Sequence, residues 1–125
     1  MENKKTILII EDEESLAGAL HDKFATEGFD ALIARNGEEG LSLALQKHPD
    51  LILLDIVMPK MDGLTMLKSL REDTWGKDAQ VIILTNLSGN GEVSKAINQG
   101  VYEYIVKTDI KIEDLVAKVK EHLVA

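Results

Sequence analysis

Asp55 stands where the apolar run Leu51-Ile52-Leu53-Leu54 stops and the loop Asp55-Ile56-Val57-Met58-Pro59-Lys60-Met61-Asp62-Gly63 begins. A buried strand that ends on a carboxylate, followed by proline and glycine, carries one acid to the rim of a sheet. Three other strand-like runs end on polar residues: Ile7-Leu8-Ile9-Ile10 runs into Glu11-Asp12, Val81-Ile82-Ile83-Leu84 into Thr85, and Tyr104-Ile105-Val106 into Lys107. If these strands are parallel, acids, a hydroxyl and an ammonium gather at one edge. Crowded carboxylates repel, by about 4 kcal/mol per pair at about 4 Å with an effective dielectric of about 20. Raised pKa values or a bound cation must offset that repulsion. Oxygen donors of this kind suit Mg2+, which takes a couple of carboxylates, some waters and a phosphate oxygen. Thr85 and Lys107 suit phosphoryl oxygens instead, the one as a hydrogen-bond donor and the other as a point charge. Asp55 is then the candidate nucleophile, forming an acyl phosphate while the cation and Lys107 neutralise charge on the transferred group.

These residues need a frame, and the chain alternates strand and helix patterns. Thr6 to Ile10 is a continuous apolar run, as expected of a strand covered on both faces. Glu13 to Glu27 carries Leu16, Ala19, Leu20 and Phe24 at helical spacing, and Gly28 ends it. Ala31 to Ala34 is a short second strand, and Asn36 is an N-cap for a helix carrying Leu41, Ala44 and Leu45. His48-Pro49-Asp50 stops that helix before the strand Leu51 to Leu54. Leu64, Leu67 and Leu70 mark a third helix, and the polar stretch Glu72 to Ala79 a loop. After the strand Val81 to Leu84, Ser88-Gly89-Asn90-Gly91 is turn chemistry. Val93, Ala96 and Ile97 give a short fourth helix closed by Gly100. Tyr102 to Val106 is the fifth strand, and Ile112, Leu115, Val116, Val119 and Leu123 are the apolar stripe of a fifth helix. Five strands alternating with five helices predict an α/β layer fold with a parallel sheet. In such sheets the site lies beyond the carboxyl ends of the strands, where the strand order reverses.

The bulk composition narrows the function. A chain of 125 residues is one domain in size. The formal net charge of −8 argues against direct nucleic-acid binding. Absence of cysteine removes disulfides, zinc-thiolate sites and thiol nucleophiles. No apolar run approaches the roughly 20 residues of a membrane helix, and Met1-Glu2-Asn3-Lys4-Lys5 is no signal peptide. A cytoplasmic protein without membrane attachment is the expectation. His21, His48 and His122 have no metal-ligand spacing and read as solvated.

Taken together, Glu11-Asp12, Asp55 with Met58-Pro59 and Asp62-Gly63, Thr85, Tyr104 and Lys107 resemble the receiver domain of two-component response regulators. The resemblance runs from Ile7 to about Leu123 and treats residues 1–125 as a single receiver domain. It implies a flavodoxin-like, doubly wound five-stranded sheet of order 2-1-3-4-5, the order found in the chemotaxis regulator, flanked by five helices. It implies Asp55 as phosphoacceptor, and Asp12 as the main metal carboxylate with Glu11 acting largely through water. The backbone carbonyl of Val57 is the remaining metal ligand, and Mg2+ the cofactor. Thr85 and Lys107 match the phosphoryl-contacting pair. Tyr104 matches the aromatic switch position, whose ring turns inward when the Thr85 hydroxyl moves to the phosphoryl group and so repacks the partner face of the fourth helix, fifth strand and fifth helix. The implied partners are a sensor histidine kinase or histidine phosphotransfer protein and an unidentified downstream protein, and a homodimer through the fourth-helix face is compatible. Three positions depart from the family pattern. Thr108 replaces a proline that usually follows a cis peptide, Asn86 replaces a small residue, and Glu11 replaces an aspartate.

Plainer roles compete at several of these positions. Glu13 and Glu14 suit the positive end of a helix dipole and nothing more. Tyr104 can be static packing, Trp75 can cover the edge of the third helix or mark a contact patch, and Met58, Met61 and Met66 are gap-fillers. At the level of function the runner-up is a receiver-like interaction module that is not phosphorylated. Phosphohydrolases that work through an aspartyl phosphate commonly place a second acid two residues after the nucleophile, where this chain has Val57. A flavin-binding protein would need a phosphate-binding loop after the first strand, where this chain is acidic. A signalling phosphoacceptor without separate substrate turnover is the leading reading. The expectation is either a single-domain regulator or a part of a larger protein.

Overall fold

The computed structural model describes residues 4–56, 60–85, 100–101, 103–107 and 110–124. Val57, Met58, Pro59, Asn86, the Ser88 turn, the expected helix of Val93, Ala96 and Ile97, Tyr102 and Thr108 lie outside the described residues, as do the side chains of Thr85 and Val124.

Five parallel strands form one sheet in the order β2-β1-β3-β4-β5. They are β1 (Thr6–Ile10), β2 (Asp30–Ala34), β3 (Leu51–Leu54), β4 (Val81–Thr85) and β5 (Glu103–Val106). The described helices are α1 (Glu14–Thr26), α2 (Gly37–Lys47), α3 (Gly63–Arg71) and α4 (Ile112–Val124), and a short 3-10 turn covers Gly76–Asp78 within the polar stretch expected to be a loop. The parallel α/β sheet is the one the residue pattern predicts, and its strand order is the flavodoxin-like, doubly wound order that the receiver-domain resemblance implies.

Helices cover both faces of the sheet, which is why β1 and β3 are nearly all aliphatic rather than alternating. Leu8, Ile10, Ile52, Leu54 and Ile83 pack on one side with Ala44, Met66, Leu67 and Leu70 of α2 and α3. Ile7, Ile9, Leu51, Leu53 and Ile82 pack on the other with Leu20, Phe24, Leu115 and Val119 of α1 and α4. Each strand residue therefore goes to one of two cores by its parity along the chain.

The helical stripes differ in detail from the sequence expectation. Ala17, Leu20 and Phe24 are the buried residues of α1, whereas Ala19 faces out. In α2 the buried residues are Gly37, Gly40 and Ala44, and Leu45 is 37% exposed. A Cβ on Gly40 would meet the Ile10 side chain, so α2 lies on the sheet through its glycine face. That close approach turns Leu45 outward.

Several ends and connections are held by local chemistry. Asn36 caps α2 by accepting from the Glu39 amide at 2.8 Å, and His48 ends the helix in the left-handed region at φ 47°. His48, although exposed, stacks on Trp75 with ring centroids 4.3 Å apart and planes 9° apart. Arg71, at the end of α3, donates to the carbonyls of Gly76 and Ala79 at 2.7 and 2.8 Å and to Gly100 at 3.0 Å. One guanidinium fork thus ties the approach to β4 to the approach to β5.

Candidate phosphoryl-transfer site

The strand order reverses at β1, which has β2 on one side and β3 on the other. Ile10 and Leu54 are register partners at the carboxyl ends of β1 and β3. The ladder continues one step further: the Asp55 amide donates to the Ile10 carbonyl at 3.0 Å, and the Glu11 amide to the Ala34 carbonyl at 2.9 Å. These backbone bonds fix Glu11 and Asp55 at the same level of adjacent strands. Both are buried, at 2% and 5% exposure, and they are the buried charged residues of the described core. Asp12, the next residue, is exposed.

One carboxylate oxygen from each of Glu11, Asp12 and Asp55 can be chosen so that all lie within 4.8 Å of one another. Among the described residues this is the group of acids or histidines that could share an ion. The donor set is all oxygen and anionic, which fits a hard divalent cation and not a soft one.

Lys107 reaches the same point from β5. At a strand spacing of about 4.8 Å, β5 lies roughly 10 Å from β3, a gap that a long side chain can cross. Lys107 Nζ lies 3.1 Å from Asp55 Oδ2 and donates to it. It also lies 2.7 Å from Glu11 Oε1 and 3.8 Å from Glu13 Oε1. The 2.7 Å contact with Glu11 Oε1 is the shortest of the three and pairs two largely buried charges. The other Glu11 oxygen accepts from the Glu13 amide at 2.9 Å.

Burial pushes the Glu11 carboxyl above its ordinary value, and Asp55 adds repulsion; the Lys107 ammonium and the Glu13 amide oppose the shift without cancelling it. For Lys107, burial is the largest single influence and favours the neutral amine. Glu11 and Asp55 together outweigh it and raise the pKa. The pocket therefore holds its negative charge against a desolvation cost, the setting in which an added cation is stabilising.

The Asp62-Gly63 pair has a local physical reason. Asp62 caps α3 by accepting from the Thr65 amide at 2.8 Å. Gly63 donates to the Ile56 carbonyl at 2.8 Å, and a Cβ there would overlap the Asp55 carbonyl oxygen and approach the Ile56 Cα to 2.6 Å. Both obstacles are backbone and cannot rotate away. Gly63→Ala should therefore lower stability by roughly 1–3 kcal/mol and shift the segment bearing Asp55. Denaturant unfolding gives the first effect and Asp55 amide chemical shifts the second; an unchanged protein by both measures would contradict the close packing.

Thr85 ends β4 and is the register partner of Val106, the residue before Lys107. The backbone thus sets Thr85 at the carboxyl edge between β3 and β5. Tyr104 lies further back, opposite Ile83. It is half-buried against the core cluster of Leu8 and Ile83, and burial raises its hydroxyl pKa. Of the sequence-derived site residues, the side chains of Glu11, Asp12, Asp55 and Lys107 meet in one pocket, and Val57 lies outside the described residues. Glu13 belongs to the Lys107 surroundings although its sequence position suggested only a helix end.

A doubly wound parallel α/β sheet with three carboxylates and a lysine at its reversal point defines a flavodoxin-like domain with a charged cluster at the carboxyl edge of its strands. The sequence pattern described as "Response regulator receiver domain" matches residues 7–120, and the chain belongs to that family. Its role lies in phosphorylation-based signalling.

The chain is similar to the probable transcriptional regulator ycf27 of Porphyridium aerugineum, at 38% identity over 83% of this chain and 42% of that protein. It is similar to the response regulator PleD of Caulobacter vibrioides, at 32% identity over 81% of this chain and 22% of that protein. It therefore spans less than half the length of these curated relatives. The CheY-like response regulator receiver domain protein from Methanospirillum hungatei JF-1 superposes with a TM-score of 0.89 at 27% identity, over 97% of this chain and 94% of that one. Among the described residues, no helix is long and apolar enough to cross a membrane.

Proposed function

We propose that residues 1–125 form a single receiver domain in which Asp55 accepts a phosphoryl group from a phosphohistidine on a sensor kinase or phosphotransfer protein. The observation that carries this reading is the buried Asp55 carboxylate, in reach of the Lys107 ammonium at 3.1 Å and grouped with Glu11 and Asp12. In the transfer, an Asp55 oxygen forms the new O–P bond as the P–N bond to the histidine breaks. The electron pair of that bond stays on the imidazole nitrogen, which takes up a proton. Lys107 is placed to balance charge on the phosphoryl oxygens. Thr85, at the adjacent strand end, is assigned the hydroxyl donor, and Tyr104 the residue that repacks when that hydroxyl moves.

The oxygen donors fit Mg2+, with Glu11, Asp12, Asp55 and the Val57 carbonyl as the residues that would hold it. When bound, it would neutralise the acids and the incoming phosphoryl charge. The domain is assigned to the cytoplasm, with the phosphoryl donor and a downstream protein target as partners. Separate turnover of a small substrate is not part of this reading.

The test is incubation with acetyl phosphate and Mg2+ followed by intact mass measurement. A single phosphoryl adduct on the parent chain and none on Asp55→Asn supports the assignment. No adduct on the parent chain, or an adduct that survives the substitution, overturns it. Continuous release of phosphate from simple esters would point to a hydrolase instead.

A further inference from the structure

Among the described residues, Glu13 is an acid beside Lys107 whose place at a helix start gives it no chemical task. It occupies the N-cap position of α1, with φ −78° and ψ 104°, yet its side chain makes no capping hydrogen bond. Glutamate is also outside the usual set of N-cap residues. Its carboxylate instead lies 3.8 Å from Lys107 Nζ and is 56% exposed, whereas Glu11 and Lys107 are 2% and 10% exposed. The Glu13 amide meanwhile donates to Glu11 Oε2. Glu13 therefore touches both halves of the Glu11–Lys107 pair, its amide on the acid and its carboxylate beside the ammonium.

Lys107 and a divalent cation draw on the same oxygens, because Glu11 and Asp55 belong to the acid group and also contact Nζ. The more closely the ammonium is held between those acids, the harder it competes with the cation. A carboxylate on the solvent side of Nζ gives the ammonium a second resting place that leaves Glu11 and Asp55 available. We propose that Glu13 is a positioning residue that draws Lys107 toward the α1 side of the pocket and so tunes the affinity of the acidic site for Mg2+. The proposal rests on the reading of Glu11, Asp12 and Asp55 as the Mg2+ carboxylates. It concerns a residue outside that ligand set.

Partly exposed ion pairs are worth a factor of roughly two to five in an equilibrium, and the effect is expected on that scale. The experiment is titration of the parent chain, Glu13→Gln and Glu13→Asp with Mg2+ by calorimetry, with the Lys107 side-chain ammonium followed by NMR. Glu13→Asp keeps the charge but shortens the side chain by one methylene, withdrawing it from contact. A positioning role predicts that both variants bind Mg2+ roughly two- to fivefold more weakly. It also predicts that both move the Lys107 ammonium resonance while their melting temperatures stay near that of the parent. If Glu13→Asp binds like the parent and only Glu13→Gln is weakened, Glu13 acts through its field and the proposal fails. Unchanged affinity in both variants also overturns it, leaving the metal reading intact. No Mg2+ binding by the parent chain overturns the metal reading and the proposal together.

Discussion

Replacing Asp55 with asparagine should abolish formation of the phosphoryl adduct while leaving the fold in place. The amide is a poor nucleophile and cannot form the acyl phosphate. Its shape is that of the carboxylate, so the backbone bond from residue 55 to the Ile10 carbonyl is retained. The electrostatic consequences oppose one another. The substitution removes the repulsion from Glu11 and Asp12 and also the attraction to Lys107. Stability without added metal should therefore stay within about 1 kcal/mol of the parent, whereas the response of the melting temperature to Mg2+ should shrink because one carboxylate donor is gone. The paired measurements are intact mass after acetyl phosphate treatment and thermal unfolding with and without Mg2+. An adduct of parental yield, or an unfolded variant, would contradict the expectation.

Lys107→Ala should have the largest effect on stability. The ammonium is 10% exposed and contacts Glu11 and Asp55, themselves 2% and 6% exposed. Removing one partner from a buried ion pair costs roughly 3–5 kcal/mol, which lowers the melting temperature of a domain this size by on the order of 10–20 °C. The loss depends on pH. Glu11 already lies above its ordinary value through burial, and without Lys107 it rises further. A carboxyl raised on folding contributes stability that is fully present below its ordinary range and lost as pH rises through the folded value. The variant should therefore come closest to the parent in mild acid, where Glu11 is protonated, and fall furthest behind at neutral pH. Added Mg2+ should recover more stability in the variant than in the parent, since it takes over part of the missing positive charge. Melting curves across pH, with and without Mg2+, check the sign. A deficit that grows toward acid would mean that Lys107 supports the fold by packing rather than by charge.

Much of this molecule is legible along the chain because its signals are local. A run such as Leu51 to Leu54 can be buried on both sides only in a covered sheet, and the structure buries all four residues. The stop signals are equally local: Asn36 caps its helix, and His48 turns the chain out of α2. The polar residue at each strand end follows from where the apolar runs stop. Once parallel strands are accepted, their convergence on one edge follows as well.

Other features escaped sequence inspection for definable reasons. Leu45 and Ala19 share the helical spacing of buried residues but face outward, because the seating of a helix depends on which small residues let it approach the sheet. Gly40 against Ile10 settles that for α2. Arg71 looks like an ordinary basic residue at a helix end, yet it gathers carbonyls from as far away as Gly100, 29 residues along the chain. Glu13 and Glu14 are indistinguishable acids at a helix start. Only Glu13 comes within ion-pair distance of Lys107, while Glu14 faces Arg35 at 3.5 Å.

The amino-acid order alone set the alternating layers, the all-aliphatic strands and the identity of the acids and the lysine at their ends, since hydrophobic periodicity and turn chemistry act over a few residues. What it could not set were distances. Lys107 and Asp55 are 52 positions apart, and their meeting at 3.1 Å depends on the register of parallel strands, the level at which each chain leaves the ladder and the reach of one side chain across β4. Those are properties of the assembled sheet, fixed when distant segments pack together, and they decide which of several neighbouring acids share one ammonium.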